Sequence, residues 1–199
     1  MKGWLGRARG LWREWRDVRT LLATPKERRR LVVYSEDDHS YIHFEETLRE
    51  LSLRHAFSSV YVSAQADDPL FGSAPPHLAM FHVDRLSAAF LPRLDSDLFL
   101  STMPDLDLMH LRRPPRTTRC VYAFHSLNSA VRGYRRGAFR AYDEIFCAGP
   151  AMVRELAAMC RAEGLPLPVL HEVGYPKLDR ILRDHRAYRK RRPDRMTVL

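Results

Sequence analysis

Residues 120–128, Cys120-Val121-Tyr122-Ala123-Phe124-His125-Ser126-Leu127-Asn128, are an apolar run that stops at a histidine and small polar residues. An uninterrupted apolar segment of this length, bounded by polar residues, is how a strand reads when both of its faces are covered. The same habit recurs outward along the chain at 31–34, 60–63, 79–83, 97–101, 144–147 and 169–173. Between these runs lie helical patterns near 43–54, 84–91, 150–163 and 176–189. The alternation predicts an α/β fold, a Rossmann-like parallel sheet flanked by helices. The polar loops at 35–40, 102–107, 125–128 and 174–176 all follow strand ends, and ligands bind at that edge of an open parallel sheet.

Both ends of the chain differ from this middle. In residues 1–30, Trp4, Ala8, Leu11, Trp12, Trp15, Val18 and Leu22 recur at helical spacing, with Arg7, Arg9, Arg13, Arg16 and Arg19 between them. Such a basic amphipathic helix suits an anionic membrane surface, with Trp4, Trp12 and Trp15 at the headgroup boundary and Arg13 and Arg16 facing phosphate. Packing of the Trp face on the protein's own core or on a partner is the competing reading. Pro25 and the basic run 26–30 separate this helix from a domain expected over 31–195. At the other end, Met196-Thr197-Val198-Leu199 reads as a strand beginning, the first of a further domain expected from 196 onward. A frayed tail explains the same letters.

The chain has 199 residues, 45% of them hydrophobic, which suffices for one good core. A formal net charge of +9 points to an anionic partner: nucleic acid, anionic lipid, a nucleotide or a phosphate polymer. The arginines gather at the two ends without a nucleic-acid reading motif, so no specific nucleic-acid partner is expected. Cys120, Cys147 and Cys160 are odd in number and widely spaced, which fits a reduced compartment and no structural zinc. With no membrane-length apolar run and no secretory signal, the expected location is the cytoplasm.

Candidate chemistry sits at the strand ends. An imidazole such as that of His125 can take a proton from a hydroxyl near neutral pH, or it can simply cap its loop. Ser35-Glu36-Asp37-Asp38 offers three adjacent carboxylates that can bind hydroxyls, hold a cation or act as a base, although such a cluster is more often a solvated turn that caps and begins a helix. Asp105 and Asp107 can face a ligand or form a Pro-Asp turn after Pro104. Arg132, Arg135 and Arg136 can grip a phosphate or line a solvated helix face. No Walker loop or GxGxxG fingerprint is present, so the phosphate cradle is not one made of glycines.

Several of these pieces, taken in order, resemble one family. The set is Tyr34-Ser35-Glu36, the run 99–107 (FLSTMPDLD), Tyr122-Ala123-Phe124-His125-Ser126, Gly137-Ala138-Phe139, Tyr142-Asp143, the run 147–150 (CAGP) and the run 174–179 (GYPKLD). Together they resemble the CDP-glycerol glycerophosphotransferases of teichoic acid and surface-polysaccharide biosynthesis, from about residue 31 onward. The run Ser126-Leu127-Asn128 departs from the Gly-Thr-Pro turn of the best-known teichoic acid polymerases. The resemblance implies the N-terminal half of a GT-B-like enzyme, with His125 as catalytic base and Ser35, Glu36, Asp105, Ser126 and Arg136 as substrate-binding residues. It implies a CDP-activated donor, CDP-glycerol or a related CDP-polyol, a lipid-linked polymer acceptor, and neither metal nor further cofactor. A C-terminal domain or second chain would supply the nucleotide site at the inner face of the cell membrane, so this chain by itself is expected to be incomplete. A non-catalytic accessory protein that binds membrane or a partner is the other reading.

Overall fold

The computed structural model describes residues 2–37, 39–108 and 111–191, and the side chains of 8–188 among them. The Trp4 side chain, Asp38 and the strand expected at 196–199 lie outside the described residues. Seven strands form one sheet: β1 (Leu31–Ser35), β2 (Ser59–Ser63), β3 (Leu78–His82), β4 (Leu98–Ser101), β5 (Arg119–Ala123), β6 (Glu144–Cys147) and β7 (Val169–Glu172). Their order is β3-β2-β1-β4-β5-β6-β7 and every neighbouring pair is parallel. All seven strands predicted between residues 31 and 173 are present, and the Rossmann-like α/β class expected from the sequence is the fold observed. The chain moves one way through β1, β2 and β3, then returns to lay β4 on the other side of β1, so the switch point lies between β1 and β4.

Strand alternation divides the core between the two faces. Val32, Tyr34, Val60, Val62, Phe99, Cys120, Tyr122 and Ile145 pack in one cluster with Leu21, Phe90, Met152 and Leu156. These last four bring in α1 (Lys2–Ala23), α4 (Ser87–Phe90) and α6 (Pro150–Glu163). Leu31, Val33, Tyr61, Leu100 and Val121 pack on the opposite face with Phe44 and with Leu48 of α2 (Glu45–His55). Two four-residue helices, α3 (Leu70–Ser73) and α5 (Ala130–Gly133), lie in the loops, and α7 (Pro176–Arg191) follows β7. Ion pairs from Arg180 to Glu45 and from Arg183 to Glu46 tie α7 to α2. Five rings, Tyr122, Phe124, Tyr134, Phe139 and Tyr142, meet in tilted and edge-on pairs over β5. Such pairs add to the area that they bury, and they account for the aromatic letters of the motifs at 122–124, 139 and 142.

Helix α1 is part of this core. Its only two acids turn inward: Glu14, 2% exposed, accepts the backbone N–H groups of Asp84 at 2.8 Å and Leu86 at 2.5 Å. Asp17 accepts that of His82 at 3.2 Å. Leu21 is fully buried, with Val18 and Leu22 packed beside it. Trp12 lies on the side of the helix away from the core and Trp15 on its flank beside Val18 and Leu22, 62% and 47% exposed, with Arg16 and Arg19 stacked over their rings. The basic run that follows is pinned as well, Lys26 to Asp95 and Arg30 to Asp97, each at 2.7 Å.

Candidate functional site

Parallel pairing brings the ends of all the strands to one edge, and the first side chain beyond β5 on the side of α2 is His125. Ala123 belongs to the cluster on that face and Phe124 to the other, so His125 falls back on the face of Phe44 and Leu48. There its ring meets that of His43 edge-on, with centroids 6.1 Å apart. His43 closes the 3₁₀ turn Ser40–His43 that leads into α2. Its Nδ1 is buried and has no hydrogen-bond partner among the described residues. Burial first, then the charge of Lys177 and the neighbouring His125, pull the His43 pKa down to about 4, so this imidazole is neutral near pH 7.

The turn from β7 into α7 completes the group. Gly174 sits at φ +79°, in the left-handed region open to glycine, and Pro176 starts the helix with its fixed φ. Between them Tyr175 donates its hydroxyl to the carbonyl oxygen of His125 at 2.7 Å, and its ring lies 6.1 Å from that of His43. A cavity of about 240 Å³ opens among His43, Phe44, Leu100, Ala123, Tyr175 and Lys177, at the carboxyl edge of the sheet.

The other residues singled out in the sequence are distributed around this group. Ser35 is buried at the end of β1 and donates to the backbone carbonyl of Asp37 at 2.5 Å. Asp37 in turn accepts from Ser40 at 2.7 Å and from the backbone of His39 at 3.0 Å, which makes it the organiser of the turn before α2. Glu36 is exposed, yet partial burial of its carboxyl and, after that, the adjacent Asp37 push its pKa up. Two strand spacings of ~4.8 Å separate β1 from β5, so Glu36 and His125 flank the switch point about 10 Å apart in strand position. Ser126 donates to Asn128 at 2.8 Å within its own loop.

Asp105 and Arg136 have partners of their own. Asp105 adopts φ 64° and Asp107 φ 74° in the loop after β4. Arg135 Nε stands 2.7 Å from Asp105 Oδ1, close enough for an ion pair although out of line for a hydrogen bond, and the Asp105 backbone donates to Ala138. Arg136 donates to the carbonyl of Glu163 at 2.8 Å, at the last residue of α6. A helix of 14 residues covers about 20 Å, so Arg136 is drawn a helix length away from the edge where α6 begins. Among the described residues, no three His, Cys, Asp or Glu side chains gather as a metal site. His43, Tyr175 and Lys177 also belong to the candidate site, beyond the residues to which the sequence points. The signal available for His43 was its place just before an amphipathic helix, and for Lys177 its place in the strand-turn-helix run 174–179.

No protein-family model and no curated protein sequence matches the chain. Among solved structures, a variant of the wall teichoic acid polymerase TagF is similar, with a TM-score of 0.51 at 10% identity over 93% of this chain and 49% of that one. A second structure of TagF, soaked with CDPG, gives a TM-score of 0.49 at 11% identity, over 93% and 52% of the two chains. The first likeness concerns the fold, and the chain spans about half the length of the polymerase that it matches. No helix among the described residues is long and apolar enough to cross a membrane.

Proposed function

We propose that the chain is the acceptor-side domain of a glycerophosphotransferase-type enzyme. Such an enzyme moves glycerol phosphate, or a related polyol phosphate, from a CDP-activated donor to a hydroxyl of a cell-surface polymer or glycolipid. The observation that carries this reading is the position of His125 at the carboxyl end of β5, paired with the ring of His43 and held through its carbonyl by Tyr175. The acceptor oxygen attacks the β-phosphorus of the donor, the bond from that phosphorus to the bridging oxygen breaks, CMP leaves, and His125 takes the hydroxyl proton. His43, neutral beside it, adds no repelling charge as His125 becomes an imidazolium. Glu36, with its raised pKa, is available on the other side of the switch point to hold a polyol hydroxyl.

The nucleotide half of the site belongs to a further domain or a second chain. Apolar side chains exposed on α7 (Leu178, Ile181, Leu182) and on β7 (Val169) give such a partner surface to bury. Trp12, Trp15, Arg13 and Arg16 of α1 hold the enzyme at the anionic inner face of the cell membrane, since the acids of this helix are turned inward and its exposed side is cationic and aromatic.

The test of the chemistry is His125→Ala in the full-length or complemented enzyme, followed by CMP release from CDP-glycerol. A general base contributes roughly 10²- to 10⁴-fold, so turnover should fall by that much while the unfolding midpoint stays in place. Unchanged turnover would remove His125 from the mechanism. For the membrane face, Trp12→Ala with Trp15→Ala should abolish sedimentation with anionic vesicles. Retained binding would leave α1 with its packing role alone.

A further inference from the structure

The cavity beside His43 has the wrong lining for a hydrophilic chain end. Phe44, Leu100, Ala123, Phe146 and Val173 present carbon to it. A sugar, a polyol phosphate polymer or a nucleobase is specified by several convergent donors and acceptors, and those walls hold none. The polar groups on its border are few. The Tyr175 hydroxyl is already given to His125, which leaves Thr47, the unpartnered Nδ1 of His43, and Lys177. Lys177 has no ion-pair partner among the described residues. At ~30 Å³ for each water-sized group, 240 Å³ holds about eight heavy atoms.

Apolar walls of that capacity with one unpaired cation at the border describe the site of a short amphiphile. We infer that the cavity is an acceptor subsite for an alkyl or alkenyl segment joined to a phosphate ester, the chain lying against Phe44, Leu100 and Phe146 and the phosphate meeting Lys177. The acceptor hydroxyl presented to His125 is then one close to a lipid, as in a phospholipid or a short glycolipid, and not the tip of a long hydrophilic polymer. The identification of the bound molecule as an acceptor rests on the transfer reading above, whereas its binding does not.

Titration calorimetry of the full chain with ethyl, butyl, hexyl and octyl phosphate tests the inference, with inorganic phosphate and octanol for comparison. Binding should tighten roughly fourfold per added methylene until the cavity is full. Lys177→Ala should weaken the alkyl phosphates about tenfold and leave octanol unchanged. Val173→Trp, at a position 45% exposed and so tolerant of a larger side chain, should shorten the longest chain accepted without moving the unfolding midpoint. Trp12→Ala with Trp15→Ala should leave the titrations as they are. A flat dependence on chain length, inorganic phosphate binding as tightly as octyl phosphate, or loss of binding in the Trp variants would each overturn it. Should His125→Ala keep full turnover while these titrations behave as expected, the transfer reading falls and the amphiphile site stands.

Discussion

Acid should destabilise this protein through His43 by a measurable amount. The unfolded chain binds a proton at this imidazole with the ordinary value of 6.5, while the folded chain resists until about 4, because burial, Lys177 and His125 all oppose the charge. Between those two values the unfolded state holds more protons than the folded one, so stability rises with pH across that window. Above about pH 6.5 both states are neutral and there is no penalty; it grows as pH falls to about 4 and is constant below. At ~1.36 kcal/mol per pH unit the interval sets a ceiling of roughly 3 kcal/mol. Since His43 is only half-buried, solvent screening lowers this to about 1–2 kcal/mol. Urea unfolding of the wild type and of His43→Gln at about pH 7 and about pH 4 isolates it, because the other titrating groups are common to both proteins. The wild type should lose about 1–2 kcal/mol more than the variant over that interval. Equal losses would refute the assignment of a half-buried, neutral imidazole at this position.

Glu14→Ala leaves the backbone N–H groups of Asp84 and Leu86 without their carboxylate, and stability measured by chemical unfolding should fall by roughly 3 kcal/mol. Trp12→Ala on the exposed side of the same helix should stay within about 0.5 kcal/mol. Tyr175→Phe deletes only the hydroxyl that holds the His125 carbonyl. It should cost about 1 kcal/mol in stability and, in the whole enzyme, about tenfold in CMP release, whereas a merely structural contact would cost the stability and leave CMP release unchanged. Burial pushes the thiols of Cys120 and Cys147 up to about 11 and raises that of Cys160, and all three are buried. An aromatic disulfide reagent should therefore label none of them in the native protein and all three in denaturant.

The strands were legible because each is a short apolar run closed by a polar loop, and the run at 120–124 lies within a residue of β5. Helix α6 has the bounds read from its period, Pro150 to Glu163, with Gly164 in the left-handed conformation ending it. The helix expected over 84–91 shrinks to Ser87–Phe90, because the backbone of Asp84 and Leu86 is engaged by Glu14 from a helix some seventy residues earlier. The pattern at 43–54 splits at Phe44 into a 3₁₀ turn and α2. Helices α3 and α5, at four residues each, are shorter than a periodicity can reveal. In α1 the buried side was legible in part. Val18 and Leu22 belong to the apolar stripe of the sequence and pack, whereas the same side also carries Leu21 and Glu14, a carboxylate that only the turn after β3 explains. His125 was found from its own strand end. Its neighbours His43 and Tyr175 come from elements 82 and 50 residues away, a juxtaposition that the order of the sheet creates.

The hydroxyl of Tyr175 reaches the loop after β5 from the turn after β7, and so spans the end of β6. That single bond makes the front of α7 a tether on the reactive loop, and α7 is itself clamped to α2 by Arg180 and Arg183. Force applied along α7 is therefore delivered to the carbonyl of His125 at one end and to the turn carrying His43 at the other. A load on this helix strains both imidazoles together, so the pair works as one mechanical unit whose spacing is set from outside the site.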